Sequence, residues 1–303
     1  MEARIEDLPF DATALRGLSE KLLRSHHQSN YGGAVKRLNA IRTQLAVLPF
    51  ATAPGFLLNG LKREELIAAN SMLLHELYFG CLGGDGRTMT PAMALALDAN
   101  FGSVARWREE FVAMGKAQGG GSGWVLLTFQ PRDGTLVNQW AADHTHALVG
   151  GIPILALDMY EHSYHIDFGA GAGAYVDAFM DNIDWAPVYE RYQLAVHGAS
   201  EPFGASPDDA SGAVLVDVRR AGMFEQADTV IAGAHWNDPA KVDTWARELP
   251  ADREVVVYCV YGHEVGRATA MRLRAAGLKA RFLRGGFDGW KAAGRALQSK
   301  DSS

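Results

Sequence analysis

Apolar residues return at helical intervals along the first part of the chain. Leu15, Leu18, Leu22 and Leu23, then Val35, Leu38, Ile41 and Leu45, lay one apolar stripe along residues 11–48. Gly32-Gly33 predicts a kink or break within it. A second stripe, Leu66, Ile67, Met72, Leu73, Leu74 and Leu77, predicts a helix over 62–80 that stops before the turn Gly83-Gly84-Asp85-Gly86. Thr90-Pro91 is a helix start, a capping residue before a proline at the first helical position. Helices are expected from there to about residue 98 and over 104–116. The rhythm changes after the glycine-rich stretch 119–123. Residues 124–129, 136–140 and 152–157 read as strands, the first two a hairpin about Pro131-Arg132-Asp133-Gly134. Helices resume over 175–183 and 187–196.

Residues 197–211 are rich in Gly, Ser, Pro and Asp, have no period, and read as a linker. Beyond them, strand-like 214–216, 255–258 and 280–283 alternate with helical 241–249, 265–276 and 287–293. That alternation predicts a parallel sheet flanked by helices. The expected division is a helical unit 1–90, an α/β unit 91–196, the linker 197–211 and a separate α/β domain 212–303.

With 303 residues the chain has room for two ordinary domains, and its 48% apolar and 21% charged content is that of a globular protein. A net charge of −6, with no Lys/Arg run longer than two, gives no footprint for nucleic acid. No apolar run approaches the length of a membrane span, and the acidic start lacks a secretory signal. Cys81 and Cys259 do not make a disulfide framework; they fit a reducing cytoplasm and are judged as single thiols.

The stretch 155–165 carries candidate chemistry. Asp158 ends an apolar strand and His162 follows four residues later, so both can face one point if the chain turns helical. A carboxylate with an imidazole suits a first-row transition metal. With His26 and His75 upstream, the order and spacing resemble the iron/manganese superoxide dismutases over residues 1–195. The matching stretches are His26-His27 leading to Val35-Lys36-Arg37-Leu38-Asn39, then His75-Glu76-Leu77-Tyr78-Phe79, Phe101-Gly102-Ser103, and Gly121-Ser122-Gly123-Trp124. They continue with Asp158-Met159-Tyr160-Glu161-His162, Asn182-Ile183-Asp184-Trp185 and Tyr189-Glu190-Arg191-Tyr192.

The resemblance implies a helical N-terminal half, an α/β C-terminal half and one iron or manganese ion held between them by His26, His75, Asp158 and His162, with a lean to iron. It implies superoxide as substrate and a homodimer or tetramer. Around the metal it places Trp124 and Tyr160 as walls. Glu161 would reach the partner subunit's ligand histidine. The outer-shell Gln of many members has no counterpart at Ser71, four before His75; His144, with His146 in reserve, is the candidate instead. Two positions depart from the pattern: the family's gateway Tyr is Ala34, and the His four after the first ligand is Asn30. His165 stands where a Tyr normally meets that His, so an Asn30–His165 pair across the dimer funnel is expected. The altered positions leave a second reading, a metal-bearing dimerisation module of weak activity.

The second candidate is Cys259-Val260-Tyr261-Gly262-His263-Glu264, between a strand and a helix. Backbone N–H groups at a helix start favour a thiolate or persulfide. Val216-Asp217-Val218-Arg219, Ile231-Ala232-Gly233-Ala234 and Gly285-Gly286…Trp290 surround it in the order of the rhodaneses, and residues 212–297 resemble one such domain. The resemblance implies that Cys259 carries a persulfide in a sulfurtransferase, or serves a sulfur carrier or sensor, with donor and acceptor unspecified. A cysteine phosphatase would need Arg six residues after the Cys, where Val265 stands. Glu264 is expected at the lip, repelling thiosulfate and favouring a less charged donor. Arg219 is expected to pair with Asp217, and Cys81, with no cationic neighbour in sequence, to serve packing.

Overall fold

The computed structural model describes residues 2–300. The long N-terminal stripe is built in three pieces. Residues 11–19 form turns, and helix α1 (Glu20–Ser25) starts where Ser19 accepts a hydrogen bond from the Leu22 N–H. A π-helical turn, His26–Tyr31, follows and runs without interruption into α2 (Gly32–Ala46). The irregularity therefore lies before Gly32-Gly33, not at it. The wider turn lets His26 and Tyr31 both point into the core, where each is almost fully buried. Helix α3 (Gly55–Phe79) packs antiparallel on α2 through Leu38, Ile41, Leu45 and Ala68.

Helices α4 (Pro91–Phe101) and α5 (Val104–Ala117) are capped by Thr90 and Ser103, whose side chains accept from the Met93 and Arg106 N–H groups. Three antiparallel strands follow: β1 (Trp124–Gln130), β2 (Thr135–Ala141) and β3 (Ile152–Asp158), in the order β2-β1-β3. The register sets Trp124 opposite both Ala141 and Asp158. A 3-10 turn (Glu161–Ser163) then leads to α6 (His165–Phe168), α7 (Ala172–Met180) and α8 (Trp185–Ser200). Trp107, Phe111, Phe129, Phe179 and Val188 fill the core between these helices and the sheet.

The expected linker is ordered structure. Helix α8 continues to Ser200, a 3-10 turn (Glu201–Phe203) follows, and β4 (Gly204–Ala205) pairs in parallel with the second sheet. Composition misled because Gly and Ser tolerate helix wherever tertiary contacts supply the stability; Ser200 is fully buried. The second sheet has five parallel strands in the order β4-β9-β8-β5-β7. Its other members are β5 (Val214–Asp217), β7 (His235–Trp236), β8 (Glu254–Tyr258) and β9 (Lys279–Leu283). Helices α9 (Ala221–Glu225), α10 (Val242–Trp245), α11 (Glu264–Ala275) and α12 (Gly286–Ala292) flank it. Strand β6 (Thr229–Ile231) pairs antiparallel with β10 (Leu297–Ser299) outside it. Val216, Val255, Val257 and Phe282 face one apolar layer, Val256, Tyr258 and Leu283 the other. Helix α11 packs against α8, and its Met271 joins the core of the first unit.

Candidate metal centre and cysteine loop

Four donors meet where the π-helical turn (His26), α3 (His75), the end of β3 (Asp158) and the 3-10 turn after it (His162) converge. The donor atoms of His26, His75, Asp158 and His162 all lie within 4.8 Å of one another. Asp158 Oδ2 stands 3.0 Å from His26 Nε2, 3.2 Å from His162 Nε2 and 3.5 Å from His75 Nε2, and the last two nitrogens are 3.4 Å apart. With bonds of about 2.1 Å to a shared ion, donors 90–120° apart sit about 3.0–3.6 Å from each other. The cluster therefore fits a metal ion. Among the described residues it is the one such group.

The protonation states agree. Burial drives His75 down to about 3, against the pull of Asp158, and also lowers His26. Both are neutral imidazoles, the form that binds a metal. His75 Nδ1 donates to the Ser71 carbonyl at 2.6 Å, which leaves the Nε2 lone pair facing the cluster. Burial alone would raise Asp158, but the charge and hydrogen bond of His162 and the hydrogen bond from His26 outweigh it and hold the carboxyl well below its usual range. The Tyr160 N–H also donates to Asp158 Oδ1 at 2.9 Å.

Aromatic rings close the site. Phe79 and Tyr78 lie 5.0 Å from the His26 ring, and the Trp124 ring meets His75 edge-on at 5.4 Å. Tyr160 stacks on His162 at 5.3 Å and on His144 at 4.8 Å. Trp124 Nε1 donates to His144 Nδ1 at 3.0 Å, so the His144 proton sits on Nε2. Burial lowers the His144 pKa. His146 lies apart, stacked on the exposed Trp140.

Ala34 brings no hydroxyl to this region, and Tyr31 does not replace one. Its ring lies 6.5 Å from His75, but its hydroxyl turns away to Glu76 Oε1 and the Glu6 N–H. Glu161 and His165 are exposed and Asn30 is half-buried, so their expected pairings would need a second chain.

Cys259 follows β8 and is buried. The N–H groups of Gly266, Gly262 and His263 point at its sulfur, yet burial prevails and the thiol is pushed up, with Glu264 adding to the rise. The expected stabilisation of the anion is present but outweighed in the resting thiol. Two glycines make the loop possible. A Cβ on Gly286 (φ +57°) would stand 2.4 Å from the Cys259 carbonyl, and one on Gly262 (φ +72°) 2.7 Å from the Leu283 carbonyl. Tyr261 and His263 form the exposed rim, and Val260 accepts from the Asp288 N–H.

Glu264 is not at the lip. It is 5% exposed and turned toward α8, where Tyr189 and Gln193 hydrogen-bond it. The expected repulsion of thiosulfate from an exposed carboxylate therefore loses its basis. Nor is Cys81 without a cation: Arg191, 110 residues on, places its guanidinium 3.5 Å from the sulfur while bonding the Gly80 and Ile154 carbonyls. Burial still raises that thiol. Arg219 makes its ion pair with Asp217, both buried, and lies under the Phe287 ring. Tyr189 and Gln193 were legible only as two polar residues on one helix face; nothing local names their partner.

Residues 89–191 match the C-terminal domain of iron/manganese superoxide dismutases. An iron superoxide dismutase of Cupriavidus metallidurans is 64% identical over 192 residues, which cover 63% of this chain and 97% of that protein. The chain belongs to the iron/manganese superoxide dismutase family. A manganese superoxide dismutase of Halobacterium salinarum is 36% identical over 64% of this chain and 96% of its own length. An iron superoxide dismutase of Aquifex pyrophilus is 33% identical over 60% of this chain and 87% of its own length. Residues 205–293 match the rhodanese-like domain, a span that begins at the second residue of β4 and ends just after α12.

Proposed function

We propose that the chain is a metal-dependent superoxide dismutase that also carries a Cys259 sulfurtransferase. The supporting observation is the set of three imidazoles and one carboxylate, three of the four buried, whose donor atoms face a common point. Iron or manganese bound there supplies the one-electron couple that turns two superoxide ions and two protons into oxygen and hydrogen peroxide. The 64% identical relative is an iron enzyme, which favours iron. His144, with its proton on Nε2 and its ring 6.2 Å from that of His75, is the proposed proton donor to the site, and Trp124 and Tyr160 are its proposed walls. Residues 1–90 and 91–196 form the dismutase unit and 212–303 the sulfurtransferase, with 197–211 as a structural joint. Glu161, Asn30 and His165 are proposed as contacts of a homodimer. Two unbridged thiols suit the reducing cytoplasm.

At Cys259 the thiolate attacks the sulfane sulfur of a donor, whose S–S bond breaks and whose leaving group departs with the electron pair. A nucleophilic acceptor then takes the outer sulfur and restores the thiolate. Among the described residues, the loop-side arginines Arg267 and Arg284 are ion-paired with Glu201 and Arg219 with Asp217, so their charge is shared with a carboxylate before any dianionic donor arrives. A neutral or singly charged persulfide suits the loop better.

One observation favours a second reading, a metal-bearing dimerisation module of weak activity: Ala34 carries no hydroxyl and Tyr31 commits its own to Glu76 and the Glu6 N–H, so neither brings a phenol to the four donors. Metal content and superoxide turnover of the purified chain, each repeated for His162→Ala, decide the matter. The enzyme reading expects iron or manganese with turnover, both falling in the variant. Stoichiometric metal without turnover in the parent chain would instead establish the module.

A further inference from the structure

Helix α8 belongs to the dismutase unit, yet one face of it lies on the cysteine loop. Tyr189 donates to Glu264 Oε1 at 2.7 Å, and Gln193 donates to Glu264 Oε2 at 3.2 Å and to the Tyr189 oxygen at 3.2 Å. Glu264 is the last residue of the loop and the first of α11. The other side of the loop is tied to the same structure. Arg267 donates from Nε to the Gly262 carbonyl at 2.9 Å and from NH1 to Ser200 and Glu201, at 3.2 and 2.9 Å.

The start of α11 offers N–H groups and a positive helix end to whichever anion is nearest. Two anions compete for it, the Glu264 carboxylate and a thiolate or persulfide at Cys259. A carboxylate at the first helical position would normally use that field itself. Here each of its oxygens is instead bonded by a residue of α8, which turns the charge away and satisfies it in a nearly dry place.

We propose that Tyr189 and Gln193 are positioning residues of the sulfur site, so that the dismutase unit completes the sulfurtransferase by holding Glu264 off the N–H groups that serve Cys259. This deepens the sulfurtransferase reading and rests on it. The titratable and charged groups around the loop are Tyr261 and His263 within it, Glu264 and Arg267 on α11, Tyr189 and His197 on α8, and Asp288 on α12, whose N–H bonds the Val260 carbonyl. The His197 and His263 rings are 6.0 Å apart. A titration from about pH 7.5 to about pH 10.5 brackets the ordinary range of a thiol.

The test is the rate of iodoacetamide alkylation at Cys259 in the full chain, followed by peptide mass spectrometry against pH. Cys81, wholly buried, is the internal reference. Tyr189→Phe with Gln193→Leu should raise the pH midpoint by about half a unit, about threefold slower alkylation at neutral pH. Adding Glu264→Gln should return the midpoint to that of the parent chain or below it, because the freed group then has no charge and the parent's own Glu264 charge, which also raises the thiol, is gone. Circular dichroism and the melting curve report folding, and each single substitution should move the midpoint part of the way. An unmoved midpoint in the folded double variant overturns the proposal. So does a shift that Glu264→Gln fails to reverse, since simple loosening would do that. If parent Cys259 gains no extra sulfur from thiosulfate or a low-molecular-weight persulfide, the sulfurtransferase reading alone falls, because alkylation needs only the thiolate.

Discussion

Replacing Trp124 by Phe separates packing from chemistry at the metal site. The indole does two things: it fills a fully buried position beside His75, and its N–H bonds His144 Nδ1 at 3.0 Å. Losing that buried bond costs about 1 kcal/mol. The smaller ring leaves a gap of roughly 40 Å³, about another 1 kcal/mol at about 24 cal/mol per Å³. The sum, about 2 kcal/mol, lowers the melting temperature by about 4–8 °C for a unit of this size. The chemical effect is of another kind. With no donor at Nδ1, the His144 proton is free to sit on either nitrogen, and its ring is held only by the stack on Tyr160. Outer-shell partners of this type are worth about 10–100-fold in activity or metal affinity. All four donors remain in place, so the variant should bind its ion and lose turnover per bound ion about tenfold or more. The assay is superoxide decay normalised to metal content, beside the melting curve. Parent turnover per ion together with the lowered melting temperature would refute the tautomer argument and leave Trp124 a packing residue.

Three further outcomes are expected. His162→Ala removes one of four donors and opens the part-exposed side of the site, so metal content and superoxide turnover should fall together, measured on the same preparation. Gly286→Ala sets a Cβ 2.4 Å from the Cys259 carbonyl at a positive φ, which forces the loop to move by at least half an ångström. Sulfur transfer should drop about a hundredfold while superoxide turnover is unchanged, and equal losses in both assays would indicate global damage instead. Glu201 is exposed and held down to about 2, chiefly by its hydrogen bonds from Arg284 and Arg267. A depressed carboxyl contributes stability that is present above its unfolded pKa, about 4.3, and lost as pH falls toward the folded value. Acid unfolding curves from about pH 5 to 2 should therefore be shallower for Glu201→Gln than for the parent chain, by a small margin because water screens the pair.

The sequence by itself determined the elements with a strong period and the residues whose chemistry depends on spacing along the chain. The apolar stripes, the capped start at Thr90, the parallel alternation after residue 212 and the chain order of His26, His75, Asp158 and His162 were all readable, because helix and strand periods are local and a ligand set keeps its types. What only the tertiary structure decided lies wherever a partner comes from far away. Tyr189 and Gln193 acquire Glu264 from more than seventy residues on, Arg191 acquires Cys81, and the segment 197–211 becomes helix end and edge strand because β9 offers it a partner. A charge such as Glu264 reads as solvated in any one-dimensional view. Its burial depends on two hydrogen-bond donors that only the packing of α8 on α11 brings within reach.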